Sequence, residues 1–278
     1  HQSLGGIVDS ARFFLAEKLE DAAAILRARG VHYVIIDDTS QSLAVANQLM
    51  IISNSQLPKT VIREYYDYPA DRIHVVYNGV DLEKFRPAPR ESAAGESVRL
   101  LFVGQDFKRK GLAPVIEALA TVRAKGLDCQ LRVIGRDNPE PYRQQAARLG
   151  ITDSVQFEGA SGTIQTAYQA ADLFVFPTLY DPFANVCLEA LACGLPVLTT
   201  TSNGSSEVVT ERADGYVING DPAGMADNIA GKVITFCQLP PAEREAMRHR
   251  ARAKAEGFTT ESNAATLVEL LAKKGTLP

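Results

Sequence analysis

Apolar residues along this chain fall into two patterns that alternate. Short runs that are apolar at most positions, Val98–Val103, 130–134, 155–157, Leu173–Phe176, 196–199 and Gly215–Ile218, are separated by longer amphipathic segments. Runs this continuously apolar suit strands covered on both faces, as in a parallel sheet, better than half-exposed strands. The intervening segments, Leu112–Ala124 and 185–193 among them, carry helical spacing. Strands and helices in alternation predict a doubly wound α/β domain.

Ahead of residue 98 the pattern is less regular. A helix is predicted over 12–29, strands at 32–36, 49–52 and 73–77, and a helix near 59–66. Pro87, Pro89 and the small polar run 91–97 mark a linker, because proline and small polar residues interrupt both patterns. A closing helix is predicted over 259–273, with Thr259 or Thr260 near its start.

Composition narrows the function classes. Hydrophobic residues make up 46% and charged residues 22% of the 278 residues, as in ordinary globular proteins. The net charge of −4 argues against nucleic acid as a partner, so the basic Lys108-Arg109-Lys110 needs a local explanation. Cys129, Cys187, Cys193 and Cys237 lack metal-type spacing and read as reduced, buried thiols of a cytoplasmic protein. His1, His32, His74 and His249 are scattered, and no metal site is expected. No apolar run reaches the roughly 18 residues of a membrane span. A peripheral contact with the inner face of a membrane stays open. The opening His1-Gln2-Ser3 has neither an initiator Met nor a signal-peptide pattern, and reads as a chain whose natural beginning is missing.

Three stretches carry candidate chemistry. In Tyr180-Asp181-Pro182-Phe183-Ala184-Asn185-Val186, followed by Glu189, a strand gives way to a loop and a helix start. Free N–H groups at such a helix end suit a diphosphate, and the two carboxylates can bracket an extended ligand. Asp-Pro is equally an ordinary N-cap pair, and Glu189 can be a plain surface residue. Val103-Gly104-Gln105-Asp106-Phe107-Lys108-Arg109-Lys110-Gly111 follows the first strand of the regular region. Gly104 is expected to turn the chain sharply, and Arg109 and Lys110 to neutralise phosphate. A solvated basic turn explains the same residues. The third stretch, Thr200–Glu207, reads equally as extra N–H donors or as a capped helix start. No G-x-G-x-x-G or Walker pattern appears.

Taken in this order, these segments resemble glycosyltransferase family 4, the retaining enzymes of GT-B fold. The resemblance rests on "LLFVGQDFKRKG", "LRVIGRDNPEPY", "VQFEGASGTIQTAYQAADLFVFPTLYDPFANVCLEALACGLPVLTT", "GSSEVV…ADGYVI" and "VYNGVDLEKFRP". The form "GQDFKRKG" is similar to lipopolysaccharide-core α-glucosyltransferases. The resemblance implies two Rossmann-like domains with parallel sheets. They would be an abbreviated acceptor-side domain over 1–90 and a donor domain over 91–257, followed by a helix over 258–278 returning to the first.

By the same resemblance Glu189 holds the ribose hydroxyls of a donor nucleotide. Asp181, standing where the family has Glu in its E-x7-E motif, contacts the donor sugar. Lys110 with Arg109 neutralises the departing diphosphate. Gly104 and Gln105, where the family often has Arg, lie at the same edge. Phe183, Ala184, Asn185 and Val186 meet sugar and phosphate through their backbone. Gly135, Arg136 and 161–164, ending in Ile164, hold the base. The implied reaction moves a sugar from a nucleotide-diphosphate donor, expected to be UDP-linked, to a cell-surface glycan or glycolipid, with no metal or resident cofactor required. Two other readings stay open: a nucleotide-sugar-binding protein that does not transfer, and a different α/β nucleotide-dependent enzyme.

Overall fold

The computed structural model describes residues 51–66, 68–89, 97–159 and 164–273. The helix expected at 12–29, the strand expected at 32–36 and the segment 161–163 lie outside these residues. Two compact units are present, His1–Tyr77 and Asn78–Pro278.

The described part of the first unit is small. Strand β1 (Ile51–Ser53) leads into helix α1 (Gln56–Tyr66), and strand β2 (Ile73–Val75) follows a short 3-10 turn at Ala70–Arg72. Pro58 sits in the first turn of α1, where its missing N–H costs no helical bond. β1 and β2 pair in parallel, with Ile51 opposite Ile73, and Ile62, Tyr68 and Ile73 close over them with Ile51.

The second unit holds a sheet of six parallel strands. These are β3 (Val98–Val103), β4 (Cys129–Ile134), β5 (Val155–Glu158), β6 (Leu173–Phe176), β7 (Val197–Thr200) and β8 (Gly215–Ile218). Their order is β5-β4-β3-β6-β7-β8. The chain runs outward from β3 in one direction, then returns to β6 and runs outward in the other. This reversal is the topological switch point of a doubly wound sheet. Every residue of β6 and β7 is buried, as their unbroken apolar runs require.

The helices are α2 (Leu112–Ala124), α3 (Glu140–Arg148), α4 (Ile164–Ala170), α5 (Asn185–Ala192), α6 (Met225–Cys237), α7 (Pro241–Ala255) and α8 (Thr260–Lys273). Helix α2 buries Leu112, Val115, Ile116, Ala118, Leu119 and Val122. Each large apolar side chain so buried contributes about 1.5–3 kcal/mol.

The expected domain boundary at Pro87–Ser97 differs from the observed division after Tyr77. The segment Asn78–Arg86 packs within the second unit. The Val80 N–H donates to the Phe258 carbonyl at 2.9 Å, and Gln169 Nε2 donates to the Arg86 carbonyl at 2.7 Å. Buried Phe85 meets the edge of the Tyr168 ring at 6.1 Å. Prolines mark where a helix cannot continue, whereas these contacts across the fold decide where the unit begins.

Candidate functional site

An open cleft of about 490 Å³ lies beyond the carboxyl ends of β3, β4 and β6, at the switch point. Val103, Ile134 and Phe176 end those strands and form its apolar floor. Gly104, Gln105, Lys110, Gly135, Arg136, Ile164, Asp181, Phe183, Ala184, Asn185 and Val186 complete the lining. Four segments far apart in sequence, 103–110, 134–136, Ile164 and 176–186, are thereby brought to one place, and the stretch 200–207 is absent from the lining.

The loop after β3 does not turn as the sequence suggests. Gly104 has no left-handed backbone, and a Cβ there would meet only ordinary contacts at 3.5 Å. The left-handed positions are Asp106, at φ 57°, and Gly111, at φ 80° where α2 begins. The Asp106 carboxylate accepts from the Arg109 backbone N–H at 3.2 Å and from its Nε at 2.8 Å. Burial raises the pKa of Asp106, but the Arg109 hydrogen bonds and the Arg109 and Lys110 charges outweigh it and lower it.

Arg109 and Lys110 part company in consequence. Arg109 is turned to Asp106 and donates through Nη1 to the Tyr180 carbonyl at 3.1 Å, and it does not line the cleft. Its reach is spent on bracing two loops. Lys110 is only 9% exposed and does line it. Its Nζ pairs with Asp181 Oδ2 and stands 5.2 Å from the Phe176 ring centroid. The other Asp181 oxygen accepts from the Phe183 N–H at 3.1 Å. Asp181 therefore shapes the loop before α5 but is not its N-cap, which is Ala184.

Helix α5 starts with Asn185, so Asn185 and Val186 present first-turn N–H groups that have no acceptor within the helix. The Ala184 N–H is instead taken by the Asn203 side chain at 3.2 Å. Asn185 is exposed, and its Oδ1 accepts from Asn78 Nδ2 at 2.8 Å. On the opposite edge, exposed Arg136 and Gln105 have no side-chain hydrogen bond or ion pair among the described residues. Gly135 forms the close floor between them. A Cβ there would stand 2.0 Å from the Gly104 carbonyl oxygen and 2.6 Å from the Phe107 ring.

Glu189 lies further along α5 and is absent from the cleft lining. Its Oε2 accepts from the Tyr168 hydroxyl at 2.9 Å. Burial pushes the Glu189 carboxyl above the usual range, and the Tyr168 hydrogen bond and the Lys84 charge only partly oppose this. Burial likewise holds the Tyr168 hydroxyl well above its ordinary value, with the Glu189 charge adding to it. Sequence reasoning gave Tyr168 no role, read Phe176 only as the end of a strand, and left Asn203 within a stretch read equally as extra N–H donors or as a capped helix start.

Sheet order and cleft position are those of a doubly wound α/β domain that binds its ligand at the switch point, as in GT-B glycosyltransferases. Residues 86–254 match the family model Glycosyl transferases group 1, and this chain belongs to that family. It is 31% identical over 255 residues to the D-inositol 3-phosphate glycosyltransferase of Corynebacterium urealyticum, covering 84% of this chain and 59% of that protein. It is 28% identical over 239 residues to the lipopolysaccharide glucosyltransferase WaaG of Escherichia coli, covering 81% of this chain and 63% of WaaG. The chain thus spans about six tenths of the length of these relatives. Its fold is similar to that of Anabaena HepE crystallised with UDP-glucose, at a TM-score of 0.71 and 22% identity over 83% of this chain and 66% of HepE.

Proposed function

We propose that this chain carries the donor site of a retaining, family 4 glycosyltransferase that moves a sugar from a UDP-linked donor to a cell-surface glycan or glycolipid on the cytoplasmic side. The observation that carries this reading is the cleft itself. It brings Lys110, the α5 N–H groups and the Asp181 carboxylate together, with Arg136 on the opposite edge. Cations and N–H donors suit a diphosphate, and a carboxylate suits sugar hydroxyls. The named relatives support the same class: one acts on D-inositol 3-phosphate, one is a lipopolysaccharide glucosyltransferase, and HepE was crystallised with UDP-glucose.

In the proposed reaction the bond between the anomeric carbon and the diphosphate oxygen breaks. The acceptor hydroxyl oxygen bonds to that carbon on the same face, and its proton leaves with the diphosphate. Negative charge grows on the leaving group, so Lys110 and the Asn185 and Val186 N–H groups stabilise the transition state more than the bound donor. Asp181 would accept from donor-sugar hydroxyls, and Glu189 from the ribose. Neither a metal ion nor a resident cofactor enters this scheme.

The test is a calorimetric titration with UDP, GDP and NAD, followed by a UDP-glucose turnover assay on the same sample. UDP binding with slow release of UDP from UDP-glucose is the expected result. UDP binding without release points instead to a nucleotide-sugar-binding protein, and preference for NAD to a different α/β enzyme. No binding of any of them removes the donor-site reading.

A further inference from the structure

We infer that Asn203 is a positioning residue for the diphosphate part of the cleft, an inference that rests on the donor-site reading above. Asn203 is fully buried and touches none of the space where a ligand would lie. Its side-chain amide uses every hydrogen-bonding position it has. Oδ1 accepts from the Ala184 N–H at 3.2 Å and from the Ser205 N–H at 3.1 Å. Nδ2 donates to Thr199 Oγ1 at 2.9 Å and to Cys187 Sγ at 3.5 Å. Thr199 in turn donates to the Phe176 carbonyl at 2.9 Å, so its oxygen faces Asn203 as an acceptor. A flipped amide would set its NH2 against two N–H donors, so the network allows one orientation only.

The four partners sit on three elements. Thr199 lies in β7, Ala184 caps α5 and Cys187 lies in its first turn, and Ser205 lies in the 3-10 turn at Gly204–Val208, while Thr199 extends the network to Phe176 at the end of β6. The backbone on either side of Asn203 completes the clamp. The Asp181 N–H donates to the Ser202 carbonyl at 3.0 Å, and the Gly204 N–H donates to the Asp181 carbonyl at 2.8 Å. One buried amide therefore fixes the start of α5, and with it where the Asn185 and Val186 N–H groups point. Its two chain neighbours, Ser202 and Gly204, hold the backbone of Asp181. A fully satisfied buried network of this kind rigidifies what it connects. Without it the α5 donors keep their chemistry and lose their aim. The uridine end of a donor, which the reading sets against Gly135, Arg136 and Ile164, gains nothing from Asn203.

The inference is tested by measuring affinities for UDP and for uridine, by calorimetry, in the wild-type chain and in Asn203→Ala and Thr199→Val. Thr199→Val keeps the shape at 199 and removes the hydroxyl, which is both the acceptor that orients the amide and the donor to the Phe176 carbonyl. The expected result is a loss of about tenfold in UDP affinity for Asn203→Ala, equal to about 1.4 kcal/mol. Uridine affinity should stay within about twofold, a change well below the worth of one hydrogen bond. Thr199→Val should show a smaller loss in the same direction. The double variant should lose no more than Asn203→Ala alone, because both changes release one pin. A merely structural role would lower both affinities together, or lower thermal stability and leave the ratio untouched. Should Asn203→Ala fail to fold, Thr199→Val still carries the test. An unchanged ratio of UDP to uridine affinity in the folded variants overturns the inference and leaves the donor site standing. A wild-type chain that binds neither ligand overturns the donor-site reading first, and this inference with it.

Discussion

Lys110 and Asp181, which lie on different loops, form an ion pair inside the cleft, with side chains only 11% and 15% exposed. Both were candidates for separate contacts with a donor, yet each is the other's partner. Breaking such a pair from one side leaves an unmatched charge away from bulk water and costs about 3 kcal/mol or more. Lys110→Ala is therefore expected to lower stability by that order in denaturant unfolding. Lys110→Ala with Asp181→Asn should cost less than the two single changes summed, with a coupling of about 0.5–3 kcal/mol.

The same pair predicts a divergence between binding and turnover. Asp181→Asn keeps an oxygen for the Phe183 N–H and frees the Lys110 charge for a diphosphate. UDP should bind more tightly to this variant, by a few-fold, while release of UDP from UDP-glucose slows. The two are read by calorimetry and by a UDP-release assay. Weaker UDP binding in Asp181→Asn would mean that the carboxylate itself serves the nucleotide.

Arg136 and Arg109 make a contrasting pair. Arg136 lines the cleft with no acidic partner among the described residues, whereas Arg109 is committed to Asp106 and the Tyr180 carbonyl. Arg136→Ala should reduce UDP affinity by about 1.5–3 kcal/mol, the worth of a charged hydrogen bond, and flatten its salt dependence. Arg109→Ala should move UDP affinity by a much smaller amount. The reverse ranking in titrations at two salt concentrations would restore Arg109 to the site.

How far this site can be read from the sequence depends on how local each cause is. The six strands were legible because burial on both faces writes itself as unbroken apolar runs, as in Leu173–Phe176. The helix start at Asn185 was legible from its loop and spacing. The placing of Lys110 in the cleft and Arg109 outside it was not. It depends on the left-handed Asp106 capturing one guanidinium, a local competition that the string "FKRKG" does not express. Tyr168 and Asn203 were illegible for another reason. Their partners Glu189 and Ala184 lie 21 and 19 positions away, and only the order β3-β6-β7 brings them together.

Glu189 gives a prediction in pH. Burial raises its pKa in the folded chain, outweighing the Tyr168 hydrogen bond. Folding thus favours the protonated carboxyl. The stability it contributes is complete below the ordinary carboxylate range and is lost as pH rises through the raised value. Glu189→Gln should remove that pH-dependent loss. UDP binding, if it needs the carboxylate for the ribose, should strengthen over the same rise in pH and become flat and weaker in Glu189→Gln. Tyr168→Phe deletes the hydrogen bond that favours the charged form, so its binding profile should shift to higher pH. Unfolding and UDP titrations from acid to neutral pH check both signs; identical profiles for wild type and Glu189→Gln would remove Glu189 from the site.

The two glycines of the cleft floor should respond in opposite ways to a single methyl group. At Gly104 a Cβ meets the Lys110 and Phe176 side chains at 3.5 Å, which is ordinary contact on an ordinary backbone. Gly104→Ala should therefore fold with near wild-type stability, and any effect on UDP binding would report crowding of the cleft mouth. At Gly135 the same atom falls 2.0 Å from a backbone oxygen that cannot rotate away, with the Phe107 ring at 2.6 Å behind it. Relief needs the β3 and β4 ends to separate, although the Gly104 N–H is bonded to the Ile134 carbonyl at 3.0 Å. Overpacking of this kind costs about 1–3 kcal/mol or more. Gly135→Ala is expected to lower the free energy of unfolding by that amount and to open the edge where Arg136 stands, weakening UDP binding as well. Equal stability of the two variants would mean that this edge yields more easily than its hydrogen bond implies.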